Sequence, residues 1–308
     1  LNTEDTPGAE GQLFASVVGG TIPDSITLSQ ILGEDDTATL TIDGIQIQVE
    51  QSTPGVNPAF DLIGLTQLRN DPRFAGIDGS GFSVAIIDSG LDATHPDIRP
   101  NFAAFVDFAS NNRSVITNPN QTSYKHPHGT HVAGTVGSPN ENIGVAPAVK
   151  LIGLQVGTGG TSVSNTFTEA ALQWVIDNRS TYNITAVNMS LGGGFYTSPG
   201  EASGDPRIDE IRELERLGVT VVSSTGNAYT EAQYPNVGSP AIHSTLAVGA
   251  VWQDGDSLGA YLGKQVAGSD RITLFSQRLN APNIIFAPGA MINSTVPNGG
   301  YDRWPGTS

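Results

Sequence analysis

Apolar and polar positions alternate in the first part of the chain. Leu40 and Ile42 alternate with Thr39 and Thr41, and after Asp43-Gly44 the residues Ile45, Ile47 and Val49 alternate with Gln46 and Gln48. A period of two sends one set of side chains to one face, and Asp-Gly suits the two-residue turn between antiparallel strands. The pattern predicts a β-hairpin with one buried face. A lone hairpin is marginal in water, so this one is expected to pack on a larger body.

Near residue 57 the pattern changes. Phe82 to Ile87 is a short, almost wholly apolar run, as expected of a central parallel strand covered on both faces. Similar runs are Val149 to Val156, Ile184 to Met189, Val219 to Ser223 and Thr245 to Ala250. Between the second and third of these five runs, helical spacing puts Phe167, Ala171, Trp174 and Val175 on one face. A second helix, Pro206 to Leu217, aligns Ile208, Ile211, Leu214 and Leu217, and Gly218 ends it. Strands alternating with helices imply right-handed crossovers. The predicted fold is α/β: a doubly wound, mainly parallel sheet with helices on both faces, plus a small N-terminal β-hairpin appendage. The domains are residues 1–56, an extension, and residues 57–308, with functional residues in loops at the strand ends.

Composition narrows the class. The 308 residues are 38% hydrophobic, enough for a sizeable core. The net charge is −16 with only 14 Lys and Arg, a surface that repels a polyanion and argues against nucleic-acid partners. Cysteine is absent, which excludes disulfides, a thiolate nucleophile and Cys-ligated metals. No apolar run reaches the roughly 18 residues that a membrane helix needs. The opening LNTEDTPGAE has neither a basic nor an apolar leader region, so no signal peptide is read in this chain.

Four segments carry candidate chemistry. The run Phe82 to Ile87 leads straight into Asp88-Ser89-Gly90. A carboxylate at the end of a buried strand is rigid enough to orient an imidazole, and is equally a common loop starter. In His126-Pro-His128-Gly-Thr-His131-Val-Ala-Gly134 the glycines permit close backbone approach, and His128 falls at a helix start. His128 and His131 have metal-ligand spacing, but no Glu follows as in zinc enzymes; His131 reads as a packed core histidine and His126 as part of a solvated loop. Ser223-Ser-Thr-Gly-Asn227 ends a strand in a turn, or aims a carboxamide at a developing oxyanion. The last segment is Gly306-Thr307-Ser308.

Taken together, in the order Asp, His, Asn, Ser, these segments resemble the subtilase family of serine endopeptidases. Ile143-Gly-Val-Ala-Pro147, Asn188-Met-Ser-Leu-Gly-Gly193 and Ala287-Pro-Gly289 with Ser294-Thr295 extend the resemblance over residues 57–308. It implies Ser308 as nucleophile, His128 as general base, Asp88 as the group that orients His128, and Asn227 with the Ser308 N–H as oxyanion donors. Two segments, Leu154-Gln155-Val156-Gly157 and Ser190-Leu191-Gly192-Gly193, look like those that sandwich a protein or peptide substrate as an added β-strand. No cofactor is implied for the chemistry. Structural calcium is implied in general, with Asp97 at a family ligand position and Ser138-Pro-Asn-Glu-Asn142 shorter than the family's calcium loop; no metal ligands are assigned. Family members continue past the serine, so a C-terminal fragment of the same protein is expected as a partner. Residues 1–56 lie outside the resemblance and are read as a propeptide remnant. An extracellular, secreted location is implied. The competing reading is a non-catalytic fragment that binds a strand without cutting it.

Overall fold

In a computed structural model of the chain, the described residues are 13–17, 37–42, 45–51, 58–110, 113–122, 124–157, 163–232, 234–253 and 270–308. They fall into two compact units, Leu1–Val56 and Asn57–Ser308. In the first, β2 (Thr37–Ile42) and β3 (Ile45–Gln51) run antiparallel with Ile42 opposite Ile45, the spacing of the two-residue turn read from the sequence; Asp43 and Gly44 themselves lie outside the described residues. A further strand, β1 (Leu13–Val17), pairs with the other side of β3, so the sheet has three strands in the order β1-β3-β2. Its sequence, LFASV, has no clean alternation to announce it.

The second unit opens with two short helices, α1 (Pro58–Leu62) and α2 (Leu65–Asn70). Its centre is a sheet of seven strands: β4 (Ser83–Asp88), β5 (Phe102–Asp107), β6 (Lys150–Gln155), β7 (Ile184–Met189), β9 (Thr220–Ser224), β11 (Leu246–Trp252) and β12 (Ile284–Ala290). The order is β12-β11-β9-β7-β4-β6-β5, and every neighbouring pair is parallel. From β4 the chain crosses to the edge strand β5, comes back to β6 between the two, then passes to the other side of β4 to build β7, β9, β11 and β12 in turn. The winding therefore reverses at β4, whose last residue is Asp88. Loops at such a reversal are splayed apart and leave a crevice at the carboxyl ends of the strands.

The apolar run of β4 is explained by its two covered faces. Ala85 and Ile87 belong to the core shared with α4 (Asn165–Tyr182) and α5 (Ile208–Arg216). Ile86 points the other way, into the core with Val132 and Ala133 of α3 (Pro127–Gly137). Ile86 and Ile87 are almost wholly buried, each contributing about 1.5–3 kcal/mol from transfer out of water. On α4 the buried residues are Thr168, Ala171, Leu172 and Val175, so Phe167 and Trp174 only flank the face on which the sequence pattern placed them. Helix α5 starts at Ile208, two residues later than its pattern suggested, and ends at Arg216; just beyond it Gly218, with a φ of 76°, lets the chain turn back into β9.

Smaller elements surround the sheet edge. Strands β8 (Gly193–Tyr196) and β10 (Val237–Ser239) form an antiparallel ladder, α6 (Tyr229–Ala232) follows the β9 loop, and β13 (Ile292–Val296) and β14 (Gly300–Trp304) form a hairpin. Hydroxyls of β13 fasten it to α3: Ser294 Oγ donates to the His131 carbonyl at 2.7 Å and Thr295 Oγ1 to that of Thr130 at 2.8 Å. Among the described residues no helix is long and apolar enough to cross a membrane.

Candidate active site

Asp88 ends β4 at the reversal point and is buried, with 4% of its surface exposed. His128 is the second residue of α3, where Pro127 sets the first turn. Its Nδ1 lies 2.9 Å from Oδ1 and 3.0 Å from Oδ2 of Asp88. Gly129 makes this approach possible: a Cβ there would stand 2.1 Å from the Gly90 carbonyl oxygen, so any side chain would push α3 off the β4 loop. Thr130 adds a tie, accepting from the Asp92 N–H at 2.9 Å and donating to the His126 carbonyl at 2.6 Å. Burial works to lower the pKa of His128, but the hydrogen bond and charge of Asp88 outweigh it and hold the imidazole above its ordinary value.

The two flanking histidines differ. His131 is buried as expected of a core residue: its ring stacks on Trp304 at 4.9 Å between centroids, and Nε2 faces the carbonyls of Ile292 and Asp302 at 3.0 and 3.2 Å. Burial keeps its pKa below the ordinary value. His126, read from the sequence as part of a solvated loop, is instead the partly buried N-cap of α3. Its Nδ1 lies 2.6 Å from Ser89 Oγ, which in turn is 2.8 Å from Asp88 Oδ1. The only sequence signal is a hydroxyl directly after the aspartate and an imidazole two residues before His128, which the fold brings to 2.6 Å.

Ser308, Asn227, Ser190 and His128 line one cleft of about 300 Å³ at the carboxyl ends of the strands. Asn227 follows β9, and its carboxamide oxygen accepts from both the N–H and the hydroxyl of Thr307. The Ser308 carbonyl accepts from Ser190 Oγ at 2.8 Å, and Ser190 Oγ accepts from Asn188 Nδ2 at 3.0 Å. Among the described residues, no hydrogen bond joins Ser308 to His128.

The two segments expected to flank a substrate are placed differently. Leu154, Gln155 and Val156 are buried at 1–2% exposure at the end of β6, and Gly157 is buried beside them. The Gln155 carbonyl is taken by the Phe108 N–H, and the Val156 N–H by the Asp88 carbonyl, both at 2.8 Å. Leu154 and Gln155 lie in a strand paired on both sides, so their ladder bonds are already taken. Ser190 and Leu191 are buried, whereas Gly192 and Gly193 are exposed beside the cleft. Gln277, which no motif announces, ties the two rims together. Its Nε2 donates to the Gly194 carbonyl at 3.0 Å and to Asn236 Oδ1 at 2.5 Å, while its own N–H donates to the Gly226 carbonyl at 2.8 Å.

Asp97, which family resemblance places at a calcium-ligand position, accepts at Oδ2 from Asn140 Nδ2 at 3.1 Å and from the Tyr301 hydroxyl at 2.8 Å. Burial and the Asp97 carboxylate push the Tyr301 phenol up to about 12, which keeps it a donor. Among the described residues no group of three or more His, Cys, Asp or Glu is gathered to hold a metal.

A doubly wound parallel sheet with an aspartate at its reversal point and a histidine on the adjoining helix is the arrangement of subtilisin-like α/β proteins. The chain belongs to the subtilase family, whose profile (Peptidase_S8) matches residues 79–308. It is 32% identical over 250 residues to subtilisin E of Bacillus subtilis (strain 168), covering 80% of this chain and 56% of that protein. It is 33% identical over 250 residues to a subtilisin of Bacillus pumilus, covering 80% and 78%. The chain thus spans only about half the length of relatives such as subtilisin E. Among solved structures, a cold adapted subtilisin-like serine proteinase matches with a TM-score of 0.56 at 26% identity, over 76% of this chain and 72% of that one. An S41 psychrophilic protease matches with a TM-score of 0.59 at 24% identity, over 79% and 78%, a likeness of fold alone.

Proposed function

We propose that this chain carries a serine endopeptidase activity, with Ser308 attacking the scissile carbonyl and His128 taking its proton. The observation that carries this reading is the pairing of His128 Nδ1 with the buried Asp88 at 2.9 Å, in a cleft that also holds Ser308 and Asn227. The carboxylate fixes the tautomer that leaves Nε2 as the base and stabilises the imidazolium once the proton arrives. Attack yields an acyl-enzyme, and His128 returns the proton to the leaving amine. Asn227 Nδ2 and the Ser308 N–H are the donors for the oxyanion, and Ser190 to Gly193 form the edge along which an extended peptide adds as a strand. Main-chain binding of this kind gives broad sequence selectivity. The family resemblance alone extends the proposal to action outside the cell.

A second reading, a module that binds a strand without cutting it, draws on the absence of a hydrogen bond between Ser308 and His128 among the described residues. Labelling with a fluorophosphonate separates the two. The peptidase reading expects modification at Ser308 that His128→Ala abolishes without unfolding the chain. Binding of an extended peptide with no labelling of Ser308 overturns it.

A further inference from the structure

The proton count around Ser89 decides how the aspartate is held. Asp88 Oδ1 already accepts from the Ser89 N–H at 2.6 Å, and Ser89 Oγ lies 2.8 Å from the same oxygen. Ser89 Oγ also lies 2.6 Å from His126 Nδ1, and that nitrogen is 3.3 Å from the His128 N–H. A hydroxyl has a single proton and an imidazole nitrogen either donates or accepts. If Nδ1 accepted from Ser89, two oxygen lone pairs would face each other 2.8 Å apart beside a buried carboxylate. If Ser89 donated to Asp88 while Nδ1 was unprotonated, lone pairs would clash at 2.6 Å. The arrangement that keeps both short contacts is a relay in which His126 Nδ1–H donates to Ser89 Oγ and Ser89 O–H donates to Asp88, at the cost of turning the His128 N–H towards a protonated Nδ1. The longer 3.3 Å cap contact is the one given up.

We propose that His126 is a positioning residue of the peptidase reaction, holding Asp88 through the Ser89 hydroxyl while Asp88 holds His128. The proposal rests on the peptidase reading for its kinetic consequence, but the relay itself is a property of the chain. Three features place His126 for this: it stands directly before α3, its Nδ1 meets Ser89 beside β4, and its ring stacks on Tyr124 at 5.9 Å and 18°. The charged and titratable groups around it are Asp88 from β4, His128 from α3 and the Tyr124 phenol. Its neighbour Lys125 turns away to Asp92 at 2.9 Å and to Thr94. Burial lowers the pKa of His126, Asp88 opposes this, and His128 adds to it. The relay therefore runs through the neutral Nδ1–H tautomer at neutral pH. Protonation in acid keeps the same donation and adds a positive charge close to the triad. In both states His126 draws charge out of Asp88 and so opposes protonation of His128.

The test uses the full chain with His126→Ala, His126→Asn, Ser89→Ala and the Ser89→Ala/His126→Ala pair, each checked for folding by circular dichroism. Steady-state hydrolysis of a peptide p-nitroanilide across pH gives kcat, KM and the acid limb. Histidine titration by NMR in a Ser308→Ala background reads the pKa of His128 without requiring turnover. Loss of one neutral hydrogen bond in the relay lowers kcat about threefold to tenfold in His126→Ala with KM unchanged. His128 should titrate higher than in the parent, and Asn, which keeps a donor at that point, should recover most of the loss. In the Ser89→Ala background, His126→Ala should cost nothing further, since the link is already cut. An unchanged His128 titration in His126→Ala overturns the proposal. So does a His126→Ala effect of equal size with and without Ser89, which would mark a helix cap and nothing more. Should the Ala variant not fold, the titration of His128 in His126→Phe, which keeps a ring but no donor, carries the same test, and an unchanged value there overturns the proposal. If the parent neither turns over nor labels at Ser308, the peptidase reading fails, and the NMR titration still decides the relay.

Discussion

Thr307 gives both of its donors, the backbone N–H and the side-chain hydroxyl, to the carboxamide oxygen of Asn227, each at 2.9 Å. With the oxygen engaged twice, the amide plane is fixed and Nδ2 is left as the free donor on the cleft side. The residue next to Ser308 thus orients the proposed oxyanion group before any substrate arrives. Preorganisation of this kind matters because the donor need not reorient as charge develops.

Asn227→Ala is therefore expected to lower kcat about 10²–10³-fold with little change in KM, the range that loss of one oxyanion donor costs in a related subtilisin. Thr307→Val removes one of the two bonds to Asn227 and should lower kcat about threefold to tenfold. Steady-state kinetics on both variants check this. An unchanged kcat in Asn227→Ala would reduce that residue to a turn.

The pH profile follows from Asp88 and His128. Because Asp88 holds the imidazole above its ordinary value of about 6.5, the acid limb of kcat/KM should lie above that pH. Asp88→Asn should move the limb down and lower kcat by about 10⁴ if the role of the aspartate matches that in other triads. The sign for stability is the reverse of that for activity. Protonated His128 is favoured in the fold, so its contribution is fully present below about pH 6.5 and is lost as the pH rises through the higher folded value. A Tm measured against pH in the parent and in His128→Ala reads this directly, and parallel curves would refute it.

Asp205 and Arg207 form a buried fork, with side chains 6% and 4% exposed and contacts of 2.6 and 2.8 Å. Burial tends to raise the Asp205 pKa, but Arg207 and the Ser239 hydroxyl outweigh it and pull it down to about 2. Ser239 lies opposite Gly193 in the β8–β10 ladder, so the pair also supports the proposed substrate edge. Arg207→Met leaves a buried carboxylate unpaired and should destabilise the chain by about 3–5 kcal/mol, while adding Asp205→Leu should restore most of it. The pair's stabilisation is present above the ordinary carboxylate pKa and is lost as the pH falls towards 2. Urea denaturation of the single and double variants is the check; equal losses in both would mean that packing, not charge pairing, is responsible.

Gly129→Ala tests the approach of α3 to β4. The new methyl would meet a backbone oxygen, which cannot swing away as a flexible side chain can. A destabilisation of about 1–3 kcal/mol is expected, with a loss of activity larger than that of His126→Ala, because His128 itself is moved off Asp88. A variant with normal Tm and normal kcat would show that the contact is soft.

Much of the architecture was legible in sequence. The apolar run at Ser83 to Ile87 had to be a central strand, since only a strand covered on both faces tolerates consecutive buried residues such as Ala85, Ile86 and Ile87. Asp88, the His128 segment, Asn227 and Ser308 are each weak signals alone and were legible together through their order and their resemblance to subtilase segments. What the sequence could not decide was which polar groups satisfy one another across long separations. Nothing local says that Gln277 bridges Gly194 and Asn236, that Tyr301 and Asn140 both donate to Asp97, or that β5 pairs with Gln155 inside the sheet. Helix and strand periods are set by neighbours a few residues apart. Hydrogen-bond satisfaction in a buried site is set by whatever groups the tertiary packing brings within about 3 Å. The tertiary structure therefore decided that Leu154 and Gln155 are paired on both sides, that His126 meets Ser89 at the start of α3, and that Thr307 engages the Asn227 oxygen.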